Sequence, residues 1–116
     1  MQVKKPGTMN LLFVCTAGRQ RSPTGAELYR NKGYKTNFAG AWGSGSRALT
    51  ANKLRWADKV IVMETRHQQF ILTNFRNAVD PSNIIVLGIP DIYFKNAPEL
   101  QQLLEEKVEP HLAPGS

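Results

Sequence analysis

The stretch CTAGRQRSP, residues 15–23, places the only thiol of the chain, Cys15, and a guanidinium, Arg21, at either end of a short polar segment, with five residues between them. It follows the apolar run Leu11-Leu12-Phe13-Val14 and precedes a helical pattern that opens near Pro23, so it reads as a strand, a tight loop and a helix N-terminus. Backbone N–H groups at such a junction converge on the loop and favour an anion there. The expected phosphate-binding set is therefore Thr16, Ala17, Gly18, Arg19, Gln20, Arg21 and Ser22. Cys15 must be a thiolate to attack phosphorus, and a helix N-terminus and a nearby cation both stabilise a thiolate. Arg21 offers two equatorial phosphate oxygens a bidentate fork that Lys does not have. Ser22 is placed to donate a hydrogen bond to the sulfur, and Gly18 permits the backbone angles that turn successive N–H groups inward. Arg19 reads as a solvent-facing side chain, and Ser22 doubles as a candidate helix cap. A lone cysteine at a strand end is most often a small buried apolar residue. Here its spacing to Arg21, the Ser-Pro that follows and the strand–loop–helix setting favour a nucleophile.

The elements that must hold this loop follow in alternation. A strand is expected over about 10–14 and a helix over about 23–32, with proline at its first position and Gly33 past its end. A short strand at 35–39 leads into a flexible glycine-rich loop at 40–46. Thr50 caps a helix carrying Leu54, Trp56 and Ala57; a buried strand spans 59–63. Residues 64–75 place His67, Phe70, Ile71 and Phe75 on one helical face. A further strand spans 84–87, then a loop over 88–97. The last helix starts near Pro98 with the stripe Leu100, Leu103, Leu104 and Val108, and Pro110 is expected to end it. This βαβαβαβα order predicts an α/β fold: three layers, a four-stranded parallel sheet with helices on both faces, flavodoxin/Rossmann-like. In such sheets ligands bind beyond the carboxyl ends of the strands, which is where the Cys15 loop lies.

At 116 residues the chain is one domain. We expect a leader at 1–8, the domain at 9–113 and a tail at 114–116. The net charge of +6 suits an anionic partner. Its basic residues are scattered from Lys4 to Lys107 without a block, which argues against nucleic acid. One cysteine excludes an internal disulfide and a paired-cysteine metal or redox motif, and suits a reducing compartment; a cytoplasmic protein is expected. No apolar run approaches the roughly 20 residues that span a bilayer, so no membrane partner is expected.

Val14-Cys15, five residues, then Arg21-Ser22-Pro23 resembles the V-C-x5-R-S-P signature of the low-molecular-weight protein tyrosine phosphatases. Phe38-Ala39-Gly40, Trp56-Ala57-Asp58 and Val62-Met63-Glu64 are similar to further segments of that family, so the resemblance covers most of residues 10–110 and points to its compact bacterial branch. It implies a protein tyrosine phosphatase acting without metal or cofactor, through a phosphocysteine intermediate, on a phosphotyrosine-containing protein or a small aryl phosphate. It also implies an aspartate general acid on a loop after the last strand. Asp80-Pro81 has a dipeptide frequent in the family but precedes the strand at 84–87; Asp91 follows that strand, and position favours Asp91. Trp42 and Tyr93 are candidates for the walls of a substrate cleft, and His67 reads as a packing residue of its helix. Two departures stand out. Gly18 replaces the family's asparagine, which leaves the bracing of the loop open, and Gln20 replaces a second loop cysteine. The competing readings are a phosphate-binding module with weak turnover, and an arsenate reductase using an external thiol.

Overall fold

The computed structural model describes residues 9–112; the expected leader at 1–8 and tail at 114–116 lie outside the described residues. Strand β1 (Asn10–Cys15) is buried along nearly its whole length, and its side chains alternate between two cores. Leu11, Phe13 and Cys15 join one cluster, Leu12 and Val14 the other, as the period of two in a strand requires. β1 is flanked by β2 (Lys35–Gly40) and β3 (Lys59–Val62), and β3 by β4 (Ile84–Val86). All pairings are parallel and the order is β2-β1-β3-β4, the four-stranded sheet expected from the sequence.

Helices α1 (Arg21–Arg30) and α4 (Pro98–Leu112) cover one face, placing Ala26, Tyr29, Leu100, Leu104 and Val108 on it. Helices α2 (Ala51–Trp56) and α3 (Thr65–Asn74) cover the other through Leu54 and Ile71. Gly25 of α1 lies flat on Phe13: a Cβ there would come within 2.5 Å of the ring.

Two helix limits differ from expectation. Helix α1 begins at Arg21, not Pro23, with Gln20 rather than Ser22 as its cap residue; the Gln20 carbonyl accepts from the Thr24 N–H and hydroxyl. Arg21 and Ser22 are thereby helical and turned into the protein. Pro110 does not end α4, which runs on to Leu112. The proline sits in the exposed last turn, where water can serve the carbonyl that loses its donor. Past β4 the ladder continues: Leu87 N–H donates to Val62 O (2.9 Å) and Ile89 N–H to Met63 O (2.8 Å). This carries the chain to the carboxyl end of the sheet before Asp91. No helix among the described residues is long and apolar enough to cross a membrane.

Candidate active site

Cys15 ends β1 and is buried, with its Sγ 3.1 Å from Ser22 Oγ in the first turn of α1. The Ser22 hydroxyl also donates to Ala39 O at 3.2 Å. It has one proton for two acceptors, and a charge on the sulfur would draw that proton to itself.

Arg21 is buried with 1% exposure, and its guanidinium is held through both terminal nitrogens. Nη1 donates to Glu64 Oε2 (2.5 Å) and to Ile89 O (2.7 Å), and Nη2 to Thr16 Oγ1 (3.1 Å). Nε has no hydrogen-bond partner among the described residues, and Asp91 Oδ1 lies 3.7 Å from it. A buried N–H without an acceptor is costly. The Nε hydrogen and the second hydrogen of Nη2, the one not given to Thr16, are therefore left for a ligand, and they form the edge a bidentate oxyanion takes. Burial alone would raise the Glu64 carboxyl, but hydrogen bonds from Arg21 and Arg66 outweigh it and hold the group below the usual carboxylate range.

His67 is fully buried, and its ring bridges two loops. Nδ1 accepts the Glu64 N–H (3.0 Å) while Nε2 lies 3.0 Å from Thr16 Oγ1. Burial first, then the charge of Arg21, pushes its pKa down to about 4. The ring is neutral near pH 7, so the proton sits on Nε2 and is donated to Thr16. His67 Nε2, Arg21 Nη2 and Arg66 Nη2 (2.6 Å) thus all lie within hydrogen-bond distance of Thr16 Oγ1, three donors sharing the two lone pairs of one hydroxyl. The backbone N–H of Glu64 and the carboxylate and imidazole of Glu64 and His67 form a capping box at the start of α3. Neither residue was expected from sequence to belong to the site. The signal that could have found them is the E-x-x-H spacing immediately after β3, at the strand end where sites gather.

The bracing of the loop rests on glycine. Gly18 has φ +71°, and a Cβ there would meet Gly40 N at 2.9 Å. A Cβ on Gly40 would come within 2.3 Å of the Ala17 carbonyl carbon. The two backbones lie against one another, tied by Ala41 N–H to Cys15 O (2.8 Å) and Trp42 N–H to Thr16 O (2.9 Å). Gly40, expected to open a flexible loop, is instead the last residue of β2 and a packed part of the site. Gln20 does more than cap α1, since its Oε1 accepts the Lys95 N–H at 2.6 Å, and Thr24 Oγ1 accepts the Asn96 N–H at 2.8 Å. These bonds fasten the segment carrying Asp91 to the Cys15 loop.

Of the remaining sequence candidates, Trp42 is half exposed beside Thr16, its ring 4.9 Å from Phe70 and 5.6 Å from the Arg66 guanidinium. Tyr93 is half buried against the core cluster of α1 and α4, while its neighbours Ile92 and Phe94 are exposed. Arg19 is exposed. Asp80 caps the turn Pro81–Asn83 at the amino end of β4, its carboxyl lowered by hydrogen bonds from Ser82. It is therefore at the opposite end of the sheet from Cys15. An open hollow of about 530 Å³ lies beside the site, walled by Glu64, Arg66, Gly88 and Pro90 among others. No group of three or more His, Cys, Asp or Glu among the described residues is placed to hold a metal ion.

No protein-family model matches the chain. No curated protein matches it by sequence. Solved structures match it closely in shape. The tyrosine phosphatase Wzb from Escherichia coli K30, in complex with phosphate, superposes with a TM-score of 0.71 at 25% identity, over 89% of this chain and 95% of that one. A low-molecular-weight protein tyrosine phosphatase from T. tengcongensis gives 0.67 at 18% identity, over 88% and 94%. The YwlE arginine phosphatase from Geobacillus stearothermophilus gives 0.67 at 22% identity, over 89% and 94%.

Proposed function

We propose that this chain, which has the fold of the low-molecular-weight protein tyrosine phosphatases, is a cysteine-dependent phosphomonoester hydrolase acting on aryl phosphates, phosphotyrosine among them. The observation that carries the reading is the meeting of four groups at one sheet end: the Cys15 sulfur, the Ser22 hydroxyl beside it, the buried Arg21 with its unpartnered Nε, and the Asp91 carboxylate 3.7 Å from that nitrogen.

The loop N–H groups and the Nε–Nη2 edge of Arg21 hold the three non-bridging oxygens and take up the charge that builds on them. The Cys15 thiolate attacks phosphorus in line as the bond to the ester oxygen breaks, and Asp91 in its acid form gives its proton to that oxygen. Ser22 then steadies the sulfur as leaving group. In the second half Asp91, now a carboxylate, takes a proton from the water that attacks phosphorus, and the S–P bond breaks to return the thiolate and inorganic phosphate. Glu64 and Ile89 O fix the far side of Arg21, and His67 fixes Thr16; all three are positioning groups. Trp42, exposed beside Thr16, supports an aryl leaving group. The steps need only the chain's own groups and water, and the lone thiol fits a reducing, cytoplasmic setting.

The test is an assay of wild type, Cys15→Ser and Asp91→Ala on aryl phosphates of graded leaving-group ability. Cys15→Ser should abolish turnover. Asp91→Ala should slow the poorest leaving group by about 10²-fold or more and the best one far less. Wild type that binds phosphate or vanadate without turnover would favour a binding module instead.

A further inference from the structure

Outside the catalytic groups, the flank of the Cys15 loop forms one wall of a second cavity of about 200 Å³. Gly18 and Arg19 come from the loop itself, Arg30 from the last turn of α1, Arg47 from the turn after β2, and Lys95 from the segment that carries Asp91. Phe38 supplies an apolar patch, and Glu27 is the one acid among the described residues of the lining. Four exposed basic residues and one acidic residue thus line the cavity. None of the four has an ion pair among the described residues, where the ion pairs involve Arg21, Lys32 and Arg66 instead. Glu27 is itself engaged by the Asn96 side chain at 3.4 Å. Like charges gathered without counter-charges repel one another, and an anion between them relieves that repulsion. The volume is below that of a drug-sized pocket and fits a single carboxylate or phosphate group with its stem.

We propose that this cavity is an anion subsite, formed where the flank of the phosphate loop, the end of α1 and Arg47 meet Lys95, and that it receives an acidic group of the substrate next to the phosphorylated residue. The inference rests on the phosphatase reading and narrows it to acidic or doubly phosphorylated aryl phosphate substrates. Because two cavity residues belong to the catalytic loop and Lys95 is tied to that loop through Gln20, filling the cavity joins the same rigid unit that holds the phosphate.

The experiment uses the double variant Arg30→Gln/Arg47→Gln, which leaves the catalytic groups untouched. Three substrates are compared: 4-nitrophenyl phosphate, a phosphotyrosyl peptide with neutral flanks, and the same peptide with glutamates on either side. Wild type should prefer the acidic peptide through a lower KM. The double variant should raise that KM about fivefold, the scale of two exposed charge contacts, leave the other two substrates unchanged, and lose the salt dependence of the acidic peptide. Equal KM values for the two peptides in wild type, or equal loss on all three substrates in the variant, overturn the proposal. Free phosphate is the other source of the same chemistry. If inorganic phosphate shifts the amide signals of Arg30, Phe38 and Arg47 at concentrations as low as those that shift the loop, the cavity is a site for the free ion and the substrate proposal fails. If wild type turns over none of the three while the acidic peptide binds and the double variant weakens that binding, the phosphatase reading fails and the subsite stands.

Discussion

Gly40→Ala isolates the contact that braces the Cys15 loop. Gly40 is not among the glycines with positive φ, so alanine meets no backbone strain there. Its methyl would lie 2.3 Å from the Ala17 carbonyl carbon and 2.6 Å from Gly18 N. Carbon atoms in good contact stand about 3.5–4.0 Å apart, so the loop or the end of β2 must move by roughly 1 Å or more. Overpacking of this kind costs about 1–3 kcal/mol, and misplacing reacting groups by about 1 Å costs about 10²-fold in rate. The control is Gly33→Ala. At φ +102° alanine is strained, but among the described residues nothing lies within 4 Å of its methyl. Thermal melts, vanadate binding and kcat on 4-nitrophenyl phosphate read the outcome. Both variants should melt lower than wild type, but only Gly40→Ala should lose kcat and vanadate affinity. A Gly40→Ala protein with wild-type kcat and melting temperature, or a Gly33→Ala protein with the same kcat loss, refutes the reasoning.

Buried His67 should make stability fall as pH drops. Its folded pKa of about 4 is depressed from 6.5, so its contribution is full above about pH 6.5 and is lost as pH falls toward 4. At about 1.36 kcal/mol per pH unit the loss reaches about 2–3 kcal/mol by pH 4.5, read from urea midpoints, and His67→Gln should flatten that decline; a midpoint that does not move between pH 7.5 and 4.5 in wild type contradicts it. Gln20→Ala removes the acceptor of the Lys95 N–H, worth about 0.5–1.5 kcal/mol. Turnover of poor leaving groups should drop about three- to tenfold with little change in phosphate affinity, and an equal change for good leaving groups would point to the loop rather than to Asp91. Cys15 has no second cysteine to trap it, so peroxide inactivation should be only partly reversed by a thiol reductant; full recovery of activity counts against this.

The arrangement of Cys15, Arg21 and Asp91 was legible because it follows from chain order alone. In a parallel sheet every strand ends on the same side, so residues just after β1 and after β4 arrive at one edge, while Asp80, just before β4, arrives at the other. The brace was not legible. Nothing local in Gly40-Ala41-Trp42-Gly43 marks its two glycines as packed rather than flexible, and only the parallel register that sets Cys15 against Gly40 brings that backbone onto the loop. His67 shows the same limit. Its spacing to Glu64 signals a cap on α3, but its reach to Thr16 depends on the pairing of Val14 with Val62. In the sequence Gln20 shows only as the replacement of a second loop cysteine, since its partner Lys95 is 75 residues away. The start of α1 departs from the sequence expectation because side-chain partners inside the protein, such as those of Arg21 and Ser22, outweigh the local preference for proline at the first position.

The central claim is a phosphoryl group carried on Cys15. Rapid acid quenching of Asp91→Ala during turnover of an aryl phosphate with a good leaving group, followed by peptide mass spectrometry, reads it directly, because the variant lacks the base that speeds the second half-reaction. The account predicts one phosphoryl group on the peptide containing Cys15, building up in the same burst as the released phenol and absent from Cys15→Ser. Steady turnover with no adduct on that peptide, or hydrolysis that survives Cys15→Ser, would contradict it.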